Sequence, residues 1–245
     1  MTWTLGLVFF AAAIIRGYTG FGLSAILITI VTYWMPAHDL VPVLILLEIT
    51  SSLLFYKSVS LQVDWKKIGL IFIGCAISTP LALQLLMILP TLVTHLIIAT
   101  LVLLATVILL YNSKATIKPS NVIWVVTGLI MGIFAGLGSI GALAGMVMLL
   151  MTAMGAAKAR ATIIVLSFIT SVYSALFFAY NGMMPATVFN QWLYTLIPLV
   201  PGLYIGHLLF KHYQKSFRTI TLALLAVLSV AMMAQSIYHL SKGVI

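Results

Sequence analysis

The chain has 245 residues, 6% of them charged and 63% hydrophobic, with three acidic side chains against twelve basic ones and a net charge of +9. A soluble domain carries roughly a quarter charged residues, so this composition excludes a cytosolic enzyme and describes an all-α, polytopic membrane protein. The basic residues fall mostly in short inter-helix segments rather than in one patch, so the charge reads as topology and not as a nucleic-acid surface.

The first stretch, 1–34, is apolar but too long for one comfortable crossing, and GYTGFG (17–22) interrupts it. Apolar runs continue to residue 240 and no short segment with a cleavage site stands apart, so no removable leader is expected. Three ordinary spans follow near 38–57, 66–86 and 91–112, each close to the roughly 20 residues a bilayer core requires. After SKATIKPS (113–120) comes a second over-long stretch, 121–154, interrupted by GLGSIG (136–141), then spans near 158–180, 187–210 and 219–240. GLGSIG satisfies G-x-G-x-x-G, but a dinucleotide loop needs a preceding strand and an acid about 20 residues downstream. The last acid is Asp64, so no nucleotide cofactor is expected.

A shift of 119 residues lays one interrupted stretch on the other, Gly17 on Gly136, Gly20 on Ser139 and Gly22 on Gly141. The same shift brings EITSS (48–52) onto SFITS (167–171), with Glu48 on Ser167 and Ser52 on Ser171. The chain therefore reads as one unit duplicated: a first membrane repeat over 1–112, a cytoplasmic linker at 113–120 and a second repeat over 121–245. Each repeat opens with a glycine-broken segment, re-entrant or a pair of short helices, followed by three transmembrane helices.

Lys and Arg in short loops concentrate on the cytoplasmic side. If each broken segment crossed once, Lys57, Lys66, Lys67, Lys114 and Lys118 would oppose Lys158, Arg160, Lys211, Lys215 and Arg218 across the membrane. If each crosses twice, or dips in and returns, all ten share one face and the 35–40, 87–90 and 181–186 loops opposite carry no Lys or Arg. The second topology is expected. It puts both termini outside the cytoplasm and inverts the halves relative to each other, the plan of many secondary transporters, whose substrate lies near the midplane at the broken helices.

Glycine permits the positive φ and close approach that a turn at membrane depth requires, and N–H groups at the start of a half-helix form an anion site. The competing reading is close packing, for which Gly128, Gly132 and Gly136 have small-xxx-small spacing. Arg16 directly precedes the first cluster, and a cation at membrane depth marks a functional site unless it snorkels to the interface. Its planar fork suits a sulfonate, phosphate or carboxylate oxygen pair. Glu48 falls near mid-depth, where it is neutral, pairs with Arg16 or binds a coupling proton. Thr50, Ser51 and Ser52 supply hydroxyls at that depth, matched by Ser167, Thr170 and Ser171, although hydroxyls in membrane helices often bond their own backbone.

His38, His95, His212 and His239 fall near helix ends. His207 lies deeper and stands beside Glu48 as a coupling candidate, with hydrogen-bonded packing as its other reading. No two histidines have metal-ligand spacing, and the single cysteine, Cys75, excludes a CxxC site and an internal disulfide. Trp3, Trp34, Trp65, Trp124 and Trp192 all lie near expected helix ends, as an interfacial aromatic belt requires.

Two tandem halves, each opening with a glycine-broken apolar segment followed by three helices, resemble the TauE/SafE family of sulfite and organosulfur-anion exporters. RGYTGFG (16–22) is similar to the family's first glycine motif. Where that signature commonly continues as GGG and then a proline, this chain has GFGLSAI and SIGALAG. The resemblance covers nearly the whole chain. It implies a transporter of the bacterial cytoplasmic (inner) membrane, moving sulfite, thiosulfate or an organosulfonate with proton or sodium as a coupling ion. Carried over position by position, its motif residues are Gly17, Gly20 and Gly22, and Gly136, Ser139 and Gly141 with Gly138 between them. Arg16, Thr19, Ser24, Ser52 and Ser171 join them on physical grounds, because tetrahedral oxyanions need several N–H and O–H donors.

Two other classes of function remain. A passive anion channel fits the same symmetry and polar midplane. An intramembrane serine hydrolase is suggested by GLSA (22–25), but needs a histidine within hydrogen-bond reach of Ser24, and His207 is followed by Leu-Leu-Phe-Lys without the glycines that let a base helix approach.

Overall fold

The computed structural model describes residues 3–31, 35, 37–88, 93, 96, 100, 107, 118–152 and 154–241. Apart from residues 93, 96, 100 and 107, the expected span 91–112 lies outside the described residues, as do most of the 113–120 linker and the side chains of Trp3, Trp34, His38, His95 and His239.

Helix α1 (Trp3–Thr19) and helix α2 (Leu23–Val31) form a hairpin. The chain turns at Gly20 and Gly22, with φ of 83° and 95°. Gly22 sits against Ile15, and Val31 shares a cavity wall with Phe9, so α2 returns along the helix that precedes it. At 17 residues α1 is about 25 Å long. It runs through Gly17, the first residue of the interruption, and breaks only at Gly20, where φ becomes positive.

Helix α3 (Ala37–Val59) and helix α4 (Trp65–Ile88) follow, joined through a single 3₁₀ turn at Ser60–Gln62. Asp64 opens α4, its carboxylate accepting from the Lys67 N–H and pairing with the Lys67 ammonium at 3.0 Å. Helix α5 (Asn121–Gly138) begins with a side-chain cap, Ser120 Oγ accepting from the Ile123 N–H. It then turns back into helix α6 (Gly141–Leu150), repeating the first hairpin: Gly141 lies against Met131 and Ala135, and Gly145 against Met131. Ser139, aligned with Gly20 by the 119-residue shift, makes this turn with φ 56° and is the one non-glycine residue at positive φ among the described residues. Helices α7 (Ala156–Tyr180), α8 (Ala186–His212) and α9 (Phe217–Ser241) complete the chain.

Among the described residues, five helices are long and apolar enough to cross a membrane, over Asp39–Lys57, Trp65–Leu85, Asn121–Gly138, Ala156–Tyr180 and Ala186–His212; α1 and α6 are shorter apolar helices. Their outward residues are large and apolar, as on α4, where Ile73, Ile77 and Leu81 recur every four positions and are exposed.

Helix pairing carries the duplication into space. Helix α1 packs along α8 and α5 along α4, two contacts that exchange when the halves are exchanged. Both pairs run parallel: Gly202 meets Ala13 and Gly206 meets Gly17, while Gly74 meets Gly128 and Gly136 meets Ala82. The repeat mates α3 and α7 cross each other in opposite directions: Phe55, late on α3, lies beside Arg160, early on α7, while Glu48, earlier on α3, shares a chamber wall with Ser171, later on α7. A two-fold operation that maps one helix onto an antiparallel neighbour has its axis across both helices, which is the inverted arrangement expected from the charges.

Basic loops collect at one end. Both 3₁₀ turns, 60–62 and 214–216, touch α7, Lys67 lies over the Trp124 ring at 5.7 Å, and Tyr18 Oη donates to the Tyr213 carbonyl at 3.1 Å. Arg160 departs from the charge reading: it lies within α7 and is 3% exposed, so it is a buried cation and not part of a basic loop. The tryptophan belt also needs correction. Trp65 is exposed, but Trp124 is buried in the α4–α5 seam, and Trp192 Nε1 donates inward to Thr50 Oγ1 at 3.0 Å. An indole near a helix end follows the packing face of its helix when that face is buried.

Candidate functional site

Where α3 and α7 cross, the first hairpin delivers Arg16, whose side chain is fully buried. Its Nη2 lies 2.7 Å from Glu48 Oε2 and donates to Ser52 Oγ at 2.7 Å. Nε donates to Ser51 Oγ at 3.3 Å, and Nη1 reaches Ser167 Oγ at 3.4 Å across the repeat boundary and the Gly20 carbonyl in its own turn. Ser24 Oγ donates to Glu48 Oε1 at 2.8 Å. Each charge is paired, and each is further solvated by hydroxyls, the condition under which an ion pair persists in a medium of low dielectric.

Of the three states open to Glu48 in the sequence, the structure therefore has the pair with Arg16. Ser24 is engaged by this carboxylate and not by a histidine. Thr19 Oγ1 accepts from the Phe21 N–H at 3.2 Å and lies 2.8 Å from the Ile15 carbonyl, so it shapes the turn. Thr50 and Thr170 donate to the carbonyls of Leu46 and Leu166 within their own helices.

The repeat relation makes the site lopsided. The shift that carries Glu48 to Ser167 carries Arg16 to Ala135. Space filled by the guanidinium in the first half is, in the second, a polar chamber of about 10 Å³ lined by Glu48, Ser139, Gly141, Ser167, Thr170 and Ser171. That is room for about one water molecule, too small for an oxyanion. The N-terminus of α6 opens at Gly141 beside it. An apolar cavity of ≈ 360 Å³, lined by Leu5, Phe9, Val31, Leu40, Val43 and Tyr194, lies toward the end without basic loops. Val43 is five residues before Glu48 on α3, about 7.5 Å along the axis. The repeat-related region, at Trp124 and Gly128, is sealed.

Arg160 belongs to the same layer. Its Nη2 and Nε donate to the carbonyls of Gly17 and Tyr18 at 2.5 and 3.0 Å, at the C-terminal end of α1, where a helix has unpaired carbonyls and its negative dipole end. Its guanidinium stacks on Phe210 at 4.4 Å and Phe55 at 5.2 Å. His207 stacks on Phe55 at 5.4 Å with Nδ1 3.4 Å from Arg160 Nη2. An N–H directed at Nδ1 makes that nitrogen the acceptor, which describes a neutral, packed imidazole. One signal in the sequence pointed to Arg160: a cation near the start of a helix opposes that helix's own dipole, so its partner lies elsewhere.

The glycines divide by role. Gly20 and Gly22 make the turn. A Cβ on Gly17 would strike the Leu203 carbonyl oxygen, and one on Gly136 would meet the Ala82 Cβ at 2.6 Å, so both allow helices to touch. Gly138 contacts Ile28 Cδ1 of the first hairpin, and Gly141 permits the approach of α6 to the Met131 carbonyl. No group of three His, Cys, Asp or Glu side chains able to hold a metal occurs among the described residues.

Inverted helical halves, two broken hairpins meeting at a buried ion pair and a polar chamber define a polytopic membrane transporter. The chain belongs to the TauE/SafE sulfite exporter family, whose model, Sulfite exporter TauE/SafE, matches residues 5–232. Neither a curated protein nor a solved structure matches the chain.

Proposed function

We propose that the protein is a secondary transporter for a small sulfur-containing oxyanion, sulfite, thiosulfate or an organosulfonate, coupled to an ion gradient across the bacterial inner membrane. What supports this most is Arg16, a fully buried guanidinium among Ser51, Ser52 and Ser167 with a single carboxylate partner. An oxyanion replacing that carboxylate would find a planar fork and several hydroxyl donors. Ser139, Gly141 and Ser171, on the facing wall of the chamber, complete the shell; Gly17, Gly20, Gly22, Gly136 and Gly138 hold the two hairpins that form it. Ser24 and Thr19 act through Glu48 and the turn. Because the chamber holds about one water, the anion is admitted only when α1 and α7 separate, which favours a carrier over an open channel.

Purified protein in proteoliposomes, offered sulfite, thiosulfate, methanesulfonate and acetate in parallel, is expected to exchange the sulfur oxyanions faster than acetate. Exchange of none of the four would end this reading.

The repeats 1–112 and 121–245, with the linker in the cytoplasm and both termini outside it, make a second test. Single cysteines replacing Lys118 and Gln214 are expected to react with an impermeant maleimide from the cytoplasmic side only. Cys75 is fully buried and gives little background. Labelling from opposite sides would overturn the inverted topology.

A further inference from the structure

We infer that the coupling ion is a proton carried by Glu48, that its arrival hands Arg16 from the carboxylate to the substrate, and that the substrate is a monoanion. This rests on the transporter reading above and adds to it the ion, the residue and the charge.

Charge at the site restricts the choices. The chain has three acids, and Asp39 and Asp64 stand at helix starts, so Glu48 is the single carboxylate at mid-depth. Around it are Arg16 from α1, Ser24 from α2, its own helix's Ser51 and Ser52, and Ser167, Thr170 and Ser171 from α7. Arg160 of α7 and His207 of α8 lie beyond the end of α1, bound to each other and to the carbonyls of Gly17 and Tyr18.

With Glu48 ionised, Arg16 and Glu48 sum to zero. An anion added to that pair would place a net negative charge in a low-dielectric interior, and would compete with a carboxylate already 2.7 Å from Nη2. Protonation of Glu48 removes both obstacles: the carboxyl no longer attracts Arg16, keeps its hydrogen bond with Ser24, and the vacated fork receives one negative charge. The site is neutral before and after, so one proton travels with one monoanion and no net charge crosses. Sodium does not serve this exchange, because a cation at Glu48 Oε2 would share the oxygen with a guanidinium that repels it.

Methanesulfonate separates the substrate's proton from the protein's, since a sulfonate stays ionised throughout the working pH range while sulfite does not. In proteoliposomes holding a trapped pH dye, with the potential clamped by potassium and valinomycin, an inward proton gradient is expected to drive methanesulfonate accumulation. Proton and sulfonate should enter one for one, indifferent to the imposed potential and to sodium. Glu48→Gln is expected to lose gradient-driven accumulation by more than tenfold relative to its own counterflow of labelled for unlabelled sulfonate. The wild-type proton count stands as a test even if that variant fails to fold. Net wild-type sulfonate uptake without proton entry, entry driven by sodium or by potential, or full proton-driven accumulation in Glu48→Gln would each overturn the inference while leaving the transporter intact. Absence of wild-type counterflow with every anion in the panel would overturn both.

Discussion

Arg16→Ala is expected to abolish anion flux while the protein still inserts into the membrane. Removing the guanidinium takes away the planar donor that the anion needs, and strands Glu48 with only Ser24 as partner. Breaking one side of a buried pair costs about 3–5 kcal/mol, so the variant should also melt earlier in detergent unless Glu48 takes up a proton. The two effects separate in the double variant Arg16→Gln with Glu48→Gln. Two neutral amides of similar shape remove the stranded charge and recover most of the thermal stability, but not the flux. Arg16→Lys should recover the charge without the fork and remain slow, because a single ammonium does not hold Ser51, Ser52 and Ser167 in the plane that Arg16 does. Flux in proteoliposomes and melting in detergent read the two effects independently. Arg16→Ala at wild-type flux refutes the site.

Gly128→Ala is expected to be the most destabilising single methyl group among the described glycine positions. Its Cβ would land on the carbonyl oxygen of Ile71, main chain against main chain, so no rotamer change relieves it. Helices α4 and α5 would have to part, and overpacking of this kind costs about 1–3 kcal/mol. Alanine's better helix propensity returns up to about 1 kcal/mol and does not offset the clash. Gly69→Ala on α4 is the control: no atom lies within 4 Å of the position its Cβ would take, so the propensity term acts alone and stability should hold or rise. Equal melting temperatures for the two variants would contradict the α4–α5 seam.

These seams show how differently residues of one type read in a sequence. Gly20 and Gly22 declared a turn, and Ser139 inherited it through the repeat, because a chain reversal is a local demand on φ. The roles of Gly17 and Gly206 were less visible: their contact joins segments 189 residues apart in number, and spacing alone describes one helix at a time. Arg160 was misassigned for the same reason. Two residues after Lys158 it looks like part of a basic loop, and only the end of α1, brought in by tertiary packing, turns it into a buried cap. His207, deep and beside a glycine, read as either a pathway residue or a hydrogen-bonded packing residue, with packing favoured; its stacking on Phe55 and the approach of Arg160 put it in the packing around that cap.

By itself the sequence determined the membrane class and the broken helices, and it singled out the repeat relation and the charges Arg16 and Glu48, since hydropathy, glycine and helical rise act over one or two turns. Tertiary structure alone decided which hydroxyls surround the ion pair, why the second half is left with an open chamber, and which glycines turn the chain and which let helices touch. Those outcomes depend on α3 meeting α7 and on α1 meeting α8. Contacts between elements more than 100 residues apart leave no periodic trace in either partner.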